Sequence, residues 1–160
     1  MACGSQALAL LNAAFDQNRQ VSQAFSAKIT ETGEAARRMN ELLSAQKYRM
    51  AGLEKRVFAG IAEGYGNRGN VLHFEEGLSA DGVRELADAI ADKCGGTAAV
   101  FSGSDGGYAY CLIARQGDLR QLGRDMTAAL HGRGGGKPLC QQGRVQAAKE
   151  EIEAFFADRQ

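Results

Sequence analysis

The stretch "EGYGNRGN", Glu63 to Asn70, divides this sequence in two. Its three glycines, Gly64, Gly66 and Gly69, mark a tight turn or linker, and the hydrophobic period changes across it. Upstream, residues 5–63 contain no proline and only Gly33, Gly52 and Gly60. Alternating steps of three and four from Leu8 pass through Leu11, Phe15, Asn18, Ser22, Phe25, Ile29 and Thr32. They continue through Ala36, Met39, Leu43, Gln46, Met50, Leu53, Val57 and Gly60, and eleven of these sixteen positions are apolar. That spacing is the seam of a coiled coil or of a helical hairpin. "TETGEAARR" interrupts it, so two helices are expected, at about 5–27 and 33–64, joined by a turn. The seam is satisfied equally by an antiparallel hairpin or by a second chain, with Asn18 and Gln46 available to set register.

Downstream the pattern becomes that of an α/β domain. "NVLHFEE" predicts a strand at 70–75. Ser79 is an N-cap candidate for a helix carrying Val83, Leu86, Ala87 and Ile90 at helical spacing, and Gly95-Gly96 stops it. "TAAVFSG" and "GYAYCLIAR" read as strands joined by the hairpin signal "SDGG", with Asp105 as a turn former. An amphipathic helix follows between Asp118 and Gly132, then a glycine-rich loop, then a last helix over "VQAAKEEIEAFFADR" that buries Val145, Ala148, Ile152 and Phe155 or Phe156. The expected fold class is α+β or α/β, with a two-helix segment (1–64) preceding a small mixed-sheet domain (65–160).

Composition narrows the function. With 160 residues, 44% apolar and 24% charged, the chain is globular in character. Nineteen basic and nineteen acidic residues cancel, so nucleic-acid binding requires a local basic face. No run of about 18 apolar residues could span a membrane, and the amino terminus lacks the features of a secretion signal. The expectation is a soluble, cytoplasmic protein. Cysteines 3, 94, 111 and 140 form no Cys-x-x-Cys pair and match no common zinc spacing with His73 or His131, so they read as free thiols. His73, Glu75 and Glu76 compose no acid/base pair. Neither a catalytic nor a metal site is expected.

The chemistry concentrates in "HGRGGGKPLCQQGR", His131 to Arg144. Read as a loop between two helices, it offers backbone N–H groups and the cations Arg133, Lys137 and Arg144 to an anion. Arg115, Arg120 and Arg124 could extend that patch. It is neither a Walker loop nor a dinucleotide fingerprint. The alternative is a packing device in which glycines admit close approach of neighbouring elements. Cys140 is a candidate reactive thiol, since Lys137 and Arg144 close in sequence favour a thiolate.

The same residues resemble a known signature. Gly134, Gly135, Gly136, Lys137, Pro138, Gln142 and Gly143 are similar to the glycine-rich motif of the C-terminal, DHH-associated domain of alanyl-tRNA synthetase and of stand-alone alanyl-tRNA editing proteins. Leu139 stands where the family often has aspartate, and Gln141 where it often has a small residue, departures that fit the more variable editing proteins better. "ACGSQAL", Ala2 to Leu8, is similar to the Cys-Gly-x-x-Ala-Leu stretch that follows the editing domain. The resemblance implies a non-catalytic module that contacts tRNA, tRNA(Ala) by preference, and forms a homodimer through its helical segment. The nucleic-acid-binding residues it implies are Arg133, Gly134, Gly135, Gly136, Lys137, Gln142, Gly143 and Arg144. The family's editing site needs histidine and cysteine motifs absent here, so the resemblance places zinc, and the hydrolysis of misacylated tRNA, in a preceding domain of a longer protein and no cofactor in this chain. The alternative is a purely structural dimerisation module.

Overall fold

A computed structural model describes residues 2–157, with side chains from residue 4 onward; Cys3 therefore lies outside the described side chains. The chain divides between Ala51 and Gly52 into two compact units. In the first, helix α1 (Ala2–Ala24) leads through a 3-10 turn (Ile29–Glu31) into helix α2 (Thr32–Glu63). The turn needs Ser26 at positive φ, and the Thr32 hydroxyl donates to the Ile29 carbonyl at 3.0 Å to start α2. The expected seam is not closed within the chain: Leu8, Leu11, Phe15, Met39, Leu43 and Met50 are all exposed. No antiparallel hairpin buries them.

The second unit begins within α2, whose Phe58 and Ala62 are buried in its core. Five strands follow: β1 (Gly69–Glu75), β2 (Gly95–Ser104), β3 (Gly107–Ala114), β4 (Arg133–Lys137) and β5 (Cys140–Val145). Helix α3 (Ala80–Cys94) connects β1 to β2, α4 (Arg120–Ala129) connects β3 to β4, and α5 (Lys149–Ala157) closes the chain. The sheet order is β1-β2-β3-β5-β4, with β1 and β2 parallel and every other neighbour antiparallel. A parallel pair requires a crossover, which α3 supplies.

The caps of α3 are those its sequence encodes. The Ser79 hydroxyl accepts from the Gly82 N–H at 3.1 Å, and Gly95 ends the helix at φ 75°. Strands β2 and β3 are buried on both faces. Val100, Cys111 and Ile113 meet α3 and the end of α2, while Phe101, Tyr110, Leu112 and Ala114 meet residues of α4 and α5. Asp105 sits in the β2–β3 turn and accepts from the Tyr108 hydroxyl at 3.1 Å and from the Lys149 N–H at 3.2 Å.

One expectation is corrected. Residues 133–145 are not a loop entering a helix but a second hairpin, and Val145 ends a strand, leaving α5 to start at Lys149. Glycine is depleted in strands because it adds backbone freedom and no side chain. Here tertiary context overrides that preference: β3 is buried on both faces and needs a neighbour, and β5 pairs with it from Tyr108–Val145 to Ile113–Cys140.

Candidate nucleic-acid interface

Strands β4 and β5 join through Pro138 and Leu139, a turn held by outside donors. The Leu119 N–H donates to the Pro138 carbonyl at 2.7 Å, and the Ala114 N–H to the Leu139 carbonyl at 3.1 Å. The buried Gln141 side chain reaches back to the Lys137 carbonyl at 2.6 Å. These contacts make the segment a fixed platform rather than a tether.

Register sorts its side chains between two faces. Directly opposed residues share a face. Cys111, on the α3 side, opposes Gln142; Ile113 opposes Cys140; Ala109 opposes Arg144. Arg133 then opposes Arg144, and Lys137 opposes Cys140. Arg133, Lys137, Gln142 and Arg144 therefore share the α3 side of the sheet. Helix α3 packs chiefly over β1, β2 and β3, and β4 is exposed along its length, so this side of the second hairpin is open. The result is an open cleft of about 820 Å³ lined in part by Asp81, Arg84, His131, Arg133, Gln142 and Arg144. A neighbouring space of about 490 Å³, which shares Arg84 and Gln142, adds Lys137, Cys140, Asp88 and Arg115.

Charge in these clefts is unbalanced although the chain as a whole is neutral. Asp88 is occupied by Arg115, whose guanidinium contacts Asp88 at 2.9 Å and Asp92 at 2.5 Å. None of Arg84, Arg133, Lys137 and Arg144 forms an ion pair among the described residues. Four cations thus converge with Asp81 as the unpaired carboxylate among the lining groups. Arg115 lines the smaller cleft beside Lys137, but paired to Asp88 and Asp92, and the structure places Arg120 and Arg124 elsewhere. Arg120 is clamped to Asp118 at 2.6 Å and Arg124 donates to Gln121 at 2.7 Å; both line a shallow groove with the glycines and Gln141, on the α4 side. The Arg120 hydrogen bonds hold the Asp118 carboxyl down at about 2. Arg84 is the residue that sequence alone misses: it is one exposed arginine on a helix until the topology sets it opposite the hairpin.

The glycines differ in role. A Cβ at Gly134 would collide with the Tyr110 hydroxyl and the Gln142 carbonyl, one at Gly136 with the Cys140 carbonyl, and one at Gly143 with the Arg133 carbonyl. Those three glycines are required by close approach. Tyr110, 2% exposed, extends its hydroxyl toward Gly134, where it finds no hydrogen-bond partner among the described residues. Burial pushes the Tyr110 phenol above its ordinary value. Gly135 is different: a Cβ there would meet nothing within 4 Å, and its φ is not one that requires glycine. Its bare backbone lies between Arg133 and Lys137, opposite Gln142.

Comparison with known proteins supports a specific relationship. The family model described as the DHHA1 domain matches residues 67–158, more than half of the chain. No curated protein matches significantly. Among solved structures, the C-Ala domain of Aquifex aeolicus alanyl-tRNA synthetase is similar at 19% identity and a TM-score of 0.44, covering 52% of this chain and 85% of that one. At that level the structural likeness carries no argument of its own, and the family model decides: the chain belongs to the DHHA1 domain family.

Proposed function

We propose that this chain is a non-catalytic, tRNA-contacting module of an alanyl-tRNA synthetase-related protein. The observation that supports this reading is the convergence of Arg84, Arg133, Lys137 and Arg144, without ion pairs, around a cleft bordered by the glycine strand. Phosphate contacts position a protein on nucleic acid without reading sequence, and folded RNA is engaged chiefly through shape and backbone. Gln142 and the Gly135 backbone offer close polar contact between those cations. In the finer form of the proposal the RNA is tRNA(Ala), and the parent is a cytoplasmic misacylated-tRNA deacylase whose zinc site lies in a preceding domain. The helical segment then serves as its homodimer contact, because Leu11 and Phe15 are 67% and 60% exposed on α1.

Binding of labelled tRNA(Ala) and of an unrelated tRNA, followed by anisotropy across a salt series, tests the reading. Lys137→Ala, Arg133→Ala and Arg144→Ala should each weaken binding and reduce the salt slope by about 0.7–0.9. Absence of binding at low salt, in a folded protein, would sink it. The reading left would be a structural module, favoured by the steric demand for glycine at 134, 136 and 143. Sedimentation of Leu11→Asp and Phe15→Asp variants tests the dimer separately: a wild-type dimer should become monomeric.

A further inference from the structure

Two thiols lie beside the cations of the cleft. Cys111 on β3 and Cys140 on β5 are free, and their sulfurs are 4.0 Å apart. Their environments differ. Cys111 is buried against the α3 core, whereas Cys140 is half-buried and lines the smaller cleft with Arg84 and Lys137. We propose that this pair is an oxidation site for hydrogen peroxide, closing to a reversible disulfide that reshapes the cationic cleft.

The cleft decides which sulfur reacts first. Cys140 is half-buried and lines the smaller cleft, where peroxide reaches it, whereas Cys111 is buried behind it. Its sulfur attacks one peroxide oxygen; an S–O bond forms and the O–O bond breaks. The leaving hydroxide takes up the proton the thiol has lost, giving water and a Cys140 sulfenic acid. Cys111 sulfur then attacks that sulfenic sulfur. The S–S bond forms as the S–O bond breaks, and the departing hydroxide accepts the Cys111 proton as a second water. Two thiols are oxidised and one peroxide is reduced. Burial, reinforced by Cys140, pushes the Cys111 thiol up, which assigns it the resolving step rather than the first attack.

Register supplies the coupling to the cleft. Cys111 opposes Gln142 and Cys140 opposes Ile113, so the two cysteines are diagonal neighbours. In a regular ladder that relation separates Cα atoms by about 7–8 Å, whereas disulfides usually span about 4.4–6.8 Å. Closure therefore requires β5 to shift against β3. Arg144 moves with β5, and Arg133 and Lys137 move with the paired β4. A disulfide formed at such a cost is readily reduced, as regulatory ones are. Cys94 stands apart at the end of α3, where its sulfur accepts from the Gly96 N–H at 3.4 Å.

The effect on tRNA rests on the reading given above, but disulfide closure does not, and the experiment separates them. The full chain is treated with hydrogen peroxide, alkylated, digested and analysed by mass spectrometry, with tRNA anisotropy measured on the same samples. The expected result is a loss of two hydrogens, a peptide link between Cys111 and Cys140, reversal by dithiothreitol, and several-fold weaker tRNA binding while oxidised. Cys140→Ser should abolish the link and make binding insensitive to peroxide. Cys111→Ala should leave a sulfenic acid on Cys140 that dimedone traps. Linkage through Cys3 or Cys94, or oxidation that stops at Cys140 in the wild-type chain, overturns the pair. A linked protein with unchanged tRNA affinity overturns the coupling to the cleft. Failure of the reduced protein to bind tRNA refutes the RNA reading, and the mass analysis still decides the thiols.

Discussion

The two antiparallel hairpins of the sheet reach the same hydrogen-bonded form by opposite routes. β2–β3 supplies Val100, Phe101, Tyr108, Tyr110, Leu112 and Ile113 and is buried on both faces, so it carries the core. β4–β5 contributes little apolar surface, and β4 is exposed throughout. It is held by what surrounds it: β3 as a template, Tyr110 beneath Gly134, Gln141 beneath Gly123, and two donors on its turn. One hairpin stabilises the domain through burial. The other presents backbone and charge on a surface the domain stabilises for it. The proposed RNA contact thus sits where the strand has least to do with stability.

The largest effect should come from the first hairpin. Leu112→Ala removes a fully buried side chain and is expected to cost about 2–5 kcal/mol in urea unfolding. Next is Gly134→Ala, which forces a methyl against the Tyr110 hydroxyl and the Gln142 carbonyl; a loss of about 1–3 kcal/mol is expected. Tyr110→Phe tests the contact from the other side. It removes a buried hydroxyl without a partner, so the single change should be neutral or stabilising by up to about 1 kcal/mol. In combination it should relieve part of the Gly134→Ala loss in a double-mutant cycle. If the two changes simply add, Tyr110 does not set the glycine requirement.

Gly135→Ala divides the hairpin's roles. Stability should stay within about 0.5 kcal/mol of the parent in a thermal melt, because no atom opposes the new methyl. Affinity for tRNA should nonetheless fall in anisotropy titrations. A Gly135 variant as unstable as the Gly134 one would make all the glycines packing residues and erase the contrast. The smallest effect concerns Asp118. Its folded value near 2 lies below the ordinary one, so its contribution is present at neutral pH and is lost as pH falls toward 2. Arg120→Ala should raise the carboxyl part of the way toward the usual range in a carbon-detected NMR titration, since the Arg120 backbone N–H still donates to it, with little change in stability because the pair is exposed.

What could be read from the sequence follows the same contrast. The β2–β3 hairpin, its "SDGG" turn, and both caps of α3 carry local signals that tertiary structure had no reason to override. The helices before Gly64 were also legible, shifted by one to three residues at most ends. Their partner was not, because an apolar seam states what must be covered without stating by what. Strands β4 and β5 were hidden because glycine erases the alternation that reveals a strand. The cations Arg133, Lys137 and Arg144 could be named from the sequence. Their common face, and the arrival of Arg84 from α3, depend on the register and on how far α3 extends across the sheet.

Asp105 has a consequence for how the domain is made. Its carboxylate joins the turn of the first hairpin to the first N–H of α5, 44 residues later, and the Gly106 N–H adds a bond to the Ala147 carbonyl. During synthesis the hairpin is therefore complete well before the residues that latch it have emerged. Phe101 has to wait for Phe156, against which its ring packs at 5.9 Å between centroids. Until then an aromatic surface stays open on a half-built sheet, and that interval is when the nascent chain is most exposed to aggregation.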